Sequence, residues 1–225
     1  VPRNNHRRME QTMETHQLVQ GSHEWRLARV GSVGASRISD IIAKTKTGYS
    51  TSRANYAAEL VCERLTGVAA EHYQNAAMAW GTEKEPEARA AYEFMRNVDV
   101  QVVGLVKHPH ITGTHASPDG LVGDDGLIEI KAPISATHID TLLSGKIPDK
   151  YVVQMLWQMS ATGRLWCDYV SFDPRCPAHL QLFIKRLHRD EKRIGELERE
   201  VESFLAEVDD TIAKLAALAP KAEAA

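Results

Sequence analysis

The sequence has little cysteine and no long apolar run. Its three cysteines, Cys62, Cys167 and Cys176, form no closely spaced pair, which excludes a cysteine-based zinc site and argues against a disulfide framework. We therefore expect a cytoplasmic protein in a reducing compartment. No stretch approaches the ~18 consecutive apolar residues that a membrane helix needs, and no apolar run follows the early basic residues. We accordingly expect neither a membrane association nor a signal peptide.

A large net charge of one sign is also absent, because 27 Lys and Arg residues face 30 Asp and Glu residues. The charge is unevenly distributed: residues 26–64 carry seven basic against three acidic side chains, and residues 189–210 carry four against nine. A local basic region can attract a nucleic acid even when the whole chain is nearly neutral. Composition by itself nevertheless favours the simpler interpretation, in which residues 26–64 form the solvated face of two helices.

The length of 225 residues suits one domain with its own core. We expect residues 1–20 to be a disordered arm or a tag remnant, with Met9 or Met13 as a possible native start. Residues 21–225 are then expected to form a single domain that ends in a long helix.

Helical patterns occupy most of the first hundred residues. Helices are predicted at 23–30, 35–44, 51–65 and 75–97, with a polar loop at 46–50 and a bend or break in the last helix at Gly81 and Pro86. Valine-rich and alternating patterns then predict a strand at 98–107 and an antiparallel meander of strands at 112–116, 120–123 and 127–131. Helices at 136–144 and 149–162, strands at 165–172 and 180–187, and an amphipathic helix at 190–218 complete the chain. This order predicts a mixed α/β fold with a central mixed sheet flanked by helices and a helical N-terminal region.

One window of the sequence combines residues that can carry chemistry. Asp119 lies in a predicted turn, and Glu129 and Lys131 lie two residues apart on a strand that should pair beside it. Alternation along a strand puts Glu129 and Lys131 on the same face. Carboxylate oxygens suit Mg²⁺ or Mn²⁺, and an ammonium group beside them can orient a water or stabilise developing negative charge.

A purely structural interpretation of the same window is also available. A Glu-x-Lys pair on an exposed strand is an ordinary cross-strand ion pair, and Pro-Asp-Gly is an ordinary turn. Two features favour function: the polar face belongs to a predicted central strand, and both Glu85 and Gln154 can reach the same end of the sheet.

The order of these residues resembles that of the phage lambda exonuclease family within the PD-(D/E)XK nuclease superfamily. The resemblance spans about residues 21–191 and is carried, in order, by Trp25, Arg29-Val30-Gly31, Ala35-Ser36, Thr66-Gly67-Val68-Ala69, Ala79-Trp80-Gly81, Glu85, Ser117-Pro118-Asp119-Gly120-Leu121, Glu129-Ile130-Lys131-Ala132-Pro133, Gln154 and Asp173-Pro174-Arg175. It implies a restriction-endonuclease-like core and makes residues 21–225 a nuclease domain.

The resemblance also implies roles for individual residues. Asp119, Glu129 and the carbonyl of Ile130 would bind two Mg²⁺ ions, for which Mn²⁺ would substitute, and Lys131 would act at the nucleophilic water. Glu85 and Gln154 match a carboxylate and a glutamine near the metals and the nucleophile. The 5′-phosphate and DNA-binding set would be Arg29, Ser36, Ser117 and Met78, where Met78 is either an apolar wedge between terminal base pairs or a plain core methionine.

Two departures from the family pattern stand out. No Arg or Lys occurs at 134–138, where the family has a basic DNA contact, and the C-terminal helix diverges. His108, His110 and His115 cluster upstream of Asp119, but their spacing does not suit a zinc site.

The function implied is a Mg²⁺-dependent, processive 5′-to-3′ exonuclease that digests one strand of linear duplex DNA from a 5′-phosphorylated end. It would release mononucleotides and leave a 3′-overhang for phage-type recombination. Its implied partners are double-stranded DNA ends and a single-strand annealing protein, and its implied assembly is a homotrimeric ring. The alternatives are a structure- or sequence-specific endonuclease of the same superfamily and a non-catalytic DNA-binding scaffold.

Overall fold

The computed structural model describes residues 15–16, 18–70 and 75–218. A mixed five-stranded sheet lies at the centre of this part of the chain. Its strands, in spatial order, are β11 (Leu182–His188), β10 (Trp166–Phe172), β9 (Gly126–Lys131), β8 (Gly120–Val122) and β5 (Val100–Gln101). The β9 strand pairs parallel with β10 and antiparallel with β8. It is therefore an interior strand, as the sequence predicted.

Two smaller sheets complete the β structure. The first contains β1 (Thr15–His16), β6 (Leu105–Lys107), β7 (Thr114–Ala116) and β2 (Val33–Gly34), in that order. The second is the hairpin of β3 (Lys44–Thr45) and β4 (Gly48–Tyr49). The β1 strand lies within the range predicted to be an unstructured arm, and it pairs antiparallel with β6.

Seven α-helices surround the sheets in the described part of the chain. They are α1 (His23–Leu27), α2 (Ile38–Ile42), α3 (Thr51–Thr66), α4 (Ala76–Arg96), α5 (Ser135–Ser144), α6 (Asp149–Thr162) and α7 (Glu191–Ala216). The serine before α1 caps it as predicted, since the Ser22 hydroxyl accepts from the Trp25 N–H at 3.1 Å. No helix in the described ranges is long and apolar enough to cross a membrane.

The alternation of β9 gives the central sheet two different faces. Leu127 packs into the larger apolar cluster with α2, α3, α6 and α7, whereas Ile128 and Ile130 pack into a smaller cluster with Ala88 and Tyr92 of α4. Because Glu129 shares its face with Leu127, the strand pattern places a carboxylate beside α6 in the larger core.

Four details of the sequence prediction were wrong. The strand predicted at 98–107 is two strands, β5 and β6, which belong to different sheets. The predicted meander is divided between two sheets: β7 pairs with β6 and β2, whereas β8 pairs with β9 and β5. The chain changes sheet at Ser117-Pro118, where proline has no N–H to continue a ladder. The polar loop at 46–50 contains the β4 strand, and α4 is not broken at Gly81 or Pro86.

The long C-terminal helix is anchored by Phe204, whose ring is fully buried and stacks on Tyr56 of α3 at a centroid distance of 5.5 Å. We expect Phe204→Ala to lower the free energy of unfolding by ~3–5 kcal/mol, because a large cavity replaces the ring. Urea unfolding followed by circular dichroism measures the change. Phe94→Ala is the matched control, because Phe94 is 88% exposed and its truncation should change stability by less than ~0.5 kcal/mol. Equal effects of the two substitutions would contradict the packing of α7.

Candidate active site

Glu129 and Lys131 come together on the β9 strand, as their spacing predicted. The Lys131 Nζ contacts Glu129 Oε1 directly in an ion pair. The glutamate side chain is completely buried, whereas the lysine side chain is 28% exposed. The alternative to a functional site was an ordinary ion pair on an exposed strand. A buried carboxylate with an accessible ammonium group beside it differs from such a surface pair.

Two glutamines of α6 fix the orientation of the Glu129 carboxylate. Gln154 Nε2 donates to Oε1 at 2.7 Å, and Gln158 Nε2 donates to Oε2 at 2.6 Å. Both oxygens of the buried glutamate therefore have amide donors, which offsets the cost of burying its charge. Sequence reasoning identified Gln154 but missed Gln158. The signal for Gln158 was its position one helical turn after Gln154, since residues four apart share a helix face.

Asp119 lies across from Glu129, at the start of β8. The register Gly120↔Ile128 brings the two strands together at this point, and Asp119 Oδ2 accepts the Ile130 N–H at 2.6 Å. Burial, and after it the charge of Glu129, raise the pKa of Asp119 well above its usual range. The charge of each carboxylate therefore disfavours ionisation of the other.

Lys131 is the positive charge that faces both carboxylates. Burial lowers its pKa, but the charges of Glu129 and Asp119 outweigh that effect, so that the net shift is upward. The ammonium group also lies 5.2 Å from the centroid of the Tyr151 ring. Lys131 is accordingly a protonated group in this arrangement, which suits it to hold an anionic oxygen more than to remove a proton.

Glu85 of α4 lies near the same end of the sheet. Its carboxylate contacts Arg89 Nη2 directly, one helical turn later. Burial is the main cause that raises the pKa of Glu85, and the charges of both Glu129 and Lys131 act on it. Both helix residues proposed from the sequence are thus near the pair on β9, Gln154 by direct contact and Glu85 through its electrostatic interaction.

The donor set at the strands fits a small divalent cation. Mg²⁺ is commonly held by one or two carboxylates with waters completing its shell, and Asp119 and Glu129 supply two hard oxygen donors in a buried, charge-rich position. Among the described residues, no cluster of three or more His, Cys, Asp or Glu side chains is placed to hold a metal. The upstream histidines accordingly have other contacts: His108 Nε2 lies 2.9 Å from Ser160 Oγ, and His115 Nδ1 lies 2.9 Å from Ser32 Oγ.

A second group of predicted residues lines a cavity of about 780 Å³. Arg29, Ser36 and Met78 all belong to its wall, together with His115. The Arg29 guanidinium lies 4.0 Å from the ring centroid of Trp25, and burial lowers its pKa. Met78 is 51% exposed, so the interpretation of this residue as a core methionine is wrong.

Ser117 lies on the segment that connects the cavity to the carboxylates. It follows β7 two residues after His115, and its hydroxyl is buried without a hydrogen-bond partner among the described residues. Two residues later the chain reaches Asp119. An extended chain covers at most ~3.6 Å per residue, so the Cα atoms of His115 and Asp119 are no more than ~14 Å apart.

His138 offers no replacement for the missing basic residue after Pro133. It is completely buried, with Nδ1 2.8 Å from Ser171 Oγ and Nε2 2.8 Å from the Leu180 carbonyl. The cation near this position is Arg175, whose Nη2 donates to the Pro133 carbonyl at 3.0 Å while its Nε donates to Asp173 at 2.7 Å.

The mixed α/β fold with its helical N-terminal part matches that of phage-type exonucleases. The family model of the YqaJ-like viral recombinase domain matches residues 24–165. LHK-Exo, an alkaline exonuclease from Laribacter hongkongensis, is 50% identical in sequence to this chain. The match covers 86% of this chain and 96% of LHK-Exo, with a TM-score of 0.81. The crystal structure of LHK-Exo in complex with dAMP gives the same values. Comparison with curated protein sequences gives no significant match.

A more distant relative supports the fold alone. It is a phage-related exonuclease from Haemophilus somnus 129PT, 16% identical, with a TM-score of 0.64 over 82% of this chain and 96% of that chain. The chain belongs to the YqaJ-like viral recombinase domain family, which confirms the resemblance to the lambda exonuclease family. It is an enzyme, a metal-dependent DNA exonuclease.

We expect Gln158→Leu to raise the divalent-metal concentration needed for half-maximal cleavage about tenfold or more. The substitution preserves the apolar contacts of α6 but removes the donor to Glu129 Oε2, and losing a group that orients a metal ligand costs 10–100-fold in metal affinity. A Mg²⁺ titration of duplex digestion measures the change. Gln101→Leu, the same change at an exposed strand position, is the control. Unchanged Mg²⁺ dependence in a folded Gln158→Leu protein would rule out this orienting role.

Proposed function

We propose that this exonuclease degrades one strand of linear double-stranded DNA in the 5′-to-3′ direction from a 5′-phosphorylated end, with Mg²⁺ as its metal. It releases mononucleotides processively in the cytoplasm and leaves a 3′-overhang for single-strand-annealing recombination. The observation that carries the proposal is the short segment 115–119, which connects a cavity lined by Arg29 to the carboxylates. An end-binding pocket next to a cleavage site is what an exonuclease requires and an endonuclease does not.

The metal site of the proposal consists of Asp119, Glu129 and the carbonyl of Ile130, with Glu85 beside them. These residues would hold two Mg²⁺ ions, which would supply positive charge for the reacting phosphate and a lower pKa for the attacking water. Mn²⁺ has similar ligand preferences and is expected to substitute. The two glutamine bonds to Glu129 keep this ligand in one orientation while substrate enters and product leaves.

Lys131 stabilises the charge that develops on the phosphate oxygens as water attacks. Its ammonium group is fixed by Glu129 on one side and by the Tyr151 ring on another, so it is preorganised for that charge. The oxygen of water forms a bond to phosphorus, the bond from phosphorus to the 3′-oxygen breaks, and the proton of water passes to solvent as the 3′-oxygen is protonated. Gln154, which donates to Glu129 Oε1 at 2.7 Å, is the proposed positioning group for that water.

The products of this reaction explain repeated cleavage. Each step releases a 5′-mononucleotide and leaves a new 5′-phosphate on the shortened strand. A guanidinium fork and hydroxyl groups suit a terminal phosphate dianion, so Arg29, Ser36 and Ser117 receive the new end. The exposed Met78 on the cavity wall acts as the wedge that separates terminal base pairs. The complex of LHK-Exo with dAMP, a mononucleotide, supports this choice of product.

A homotrimeric ring and a single-strand annealing partner are part of the proposal through family resemblance. A ring that encloses duplex DNA would prevent dissociation between steps. Large apolar side chains on the surface of this chain, among them Leu143 and Leu218 with 82% and 77% exposure, are candidates for burial in such an assembly. Sedimentation equilibrium at several concentrations tests the assembly and should give three times the 25.0 kDa chain mass.

One digestion experiment separates the proposed function from its alternatives. Linear duplex with 5′-phosphate ends, the same duplex with 5′-hydroxyl ends, and a circular duplex are incubated with Mg²⁺, each strand carrying an end label. We expect mononucleotides from the 5′-phosphorylated strand, slower digestion of the hydroxyl form and an intact circle. Cleavage of the circle would identify an endonuclease, and binding without cleavage of any substrate would identify a scaffold.

We expect Lys131→Ala to lower the cleavage rate by at least ~100-fold while DNA binding survives, because the group that stabilises the transition-state charge is lost. Single-turnover digestion and fluorescence anisotropy measure the two quantities. Lys150→Ala is the matched control, since the Lys150 ammonium also lies over the Tyr151 ring, at 4.7 Å, but on an exposed side chain. Normal cleavage by Lys131→Ala would remove this residue from the mechanism.

We expect Arg29→Ala to abolish the preference for 5′-phosphorylated over 5′-hydroxyl ends, because its half-buried guanidinium lines the cavity and is a charged donor suited to a phosphate. The ratio of the two digestion rates measures the preference and is insensitive to losses that affect both substrates equally. Arg199→Ala, at an exposed position of α7, should keep the wild-type ratio. An unaltered ratio in Arg29→Ala would mean that the terminal phosphate binds elsewhere.

A further inference from the structure

The wall of the cavity that Arg29 lines also contains the imidazole of His115. His115 is 3% exposed, and among the described residues its Nε2 has no hydrogen-bond partner. Buried polar atoms without partners are rare in folded proteins and often mark the place of a ligand. The other ring nitrogen, Nδ1, is occupied by Ser32 Oγ at 2.9 Å.

One arrangement of the contact with Ser32 makes Nε2 of His115 a donor. When the Ser32 hydroxyl donates to Nδ1, the proton of a neutral ring resides on Nε2, which is then a donor directed at the cavity side. Burial, and after it the charge of Arg29, lower the pKa of His115 to about 3, so the ring is neutral at ordinary pH. An uncharged N–H donor can sit beside a guanidinium without the repulsion that a second cation would cause.

Gly34 keeps the space next to this donor open. A Cβ atom at Gly34 would stand 3.1 Å from His115 Nε2 and 3.6 Å from Arg29 Nη2, so the glycine faces both donors at once. Its φ of −90° is accessible to any residue, and backbone conformation therefore does not require glycine here. The requirement is space, because a methyl group would enter the gap shared by the imidazole and the guanidinium.

The acidic residues of the cavity are already engaged. Glu63 accepts the Gly31 N–H at 2.7 Å and the Ala70 N–H at 2.8 Å, and Glu59 accepts Arg37 Nη1 at 3.0 Å. Both oxygens of Glu63 thus hold a backbone N–H, while the charge of Glu63 also acts on Arg29. An anion of phosphate size, which accepts from several donors at once, fits the two donors that flank Gly34.

We infer that the Nε2–H of His115 is a further contact to the terminal 5′-phosphate, and that Gly34 is the residue whose small size admits that phosphate between His115 and Arg29. The inference rests on the proposed function, since it assigns an additional specificity-determining residue to the same phosphate pocket. It adds a neutral donor to a set that the sequence suggested was made only of an arginine and two serines.

The experiment compares digestion rates of 5′-phosphorylated and 5′-hydroxyl duplexes for the wild-type protein, His115→Phe and Gly34→Ala. Each variant should lower the phosphate-to-hydroxyl ratio about tenfold, a factor that corresponds to ~1.4 kcal/mol. The matched controls are His110→Phe, at an exposed histidine, and Gly195→Ala, where the added methyl group meets only an ordinary contact at 3.6 Å. Both controls should keep the wild-type ratio.

The outcomes separate this inference from the proposed function. A wild-type protein without any phosphate preference would overturn the phosphate pocket itself. A wild-type preference that Arg29→Ala abolishes but that His115→Phe and Gly34→Ala both retain would overturn only the roles of His115 and Gly34.

A measurement on the unaltered protein covers the case in which His115→Phe does not fold. With ¹⁵N-labelled histidine and no divalent metal, one imidazole Nε2 resonance should shift on addition of 5′-phosphorylated duplex and stay in place with the 5′-hydroxyl duplex. The shift should persist in His110→Phe. If no histidine nitrogen distinguishes the two duplexes, the contact does not exist.

Discussion

The buried ion pair between Glu129 and Lys131 is the interaction on which the rest of the site depends. A carboxylate without any solvent exposure is stable only with strong partners, and here it has an ammonium group and two amide donors. These partners come from β9 and from α6, so the position of a helix relative to a strand sets the geometry of the charge. Replacing any one of them would leave part of a buried charge without compensation.

The second constraint is the change of sheet between β7 and β8. If β7 and β8 had belonged to one meander, a single sheet would have carried His115, Ser117 and Asp119. The proline at 118 interrupts the hydrogen bonding, and the chain leaves the sheet that carries His115 to enter the sheet that carries Asp119. The anion-binding cavity and the carboxylates are therefore built on separate sheets but connected by only a few residues.

Alternation and helical periodicity were sufficient to predict most elements and the shared face of Glu129 and Lys131. They were insufficient for residues whose importance arises from contacts distant in sequence. Gln158 looks like any glutamine of an amphipathic helix until it contacts Glu129 across the core. In the sequence, His115 is only one of three histidines whose spacing does not suit zinc. Its contact with Ser32 depends on the parallel pairing of β7 with β2. Met78 could not be assigned to core or surface, because a single apolar residue has no periodicity of its own.

The sequence by itself determined the fold class, the family and the identity of the chemical groups, because spacing along a strand and the order of motifs are properties of the chain. Tertiary structure alone decided which groups are buried, which nitrogen of His115 is left without a partner and where Gly34 opens a gap. Burial and hydrogen bonding between elements depend on how sheets and helices pack, and no local pattern in a single sequence encodes those distances.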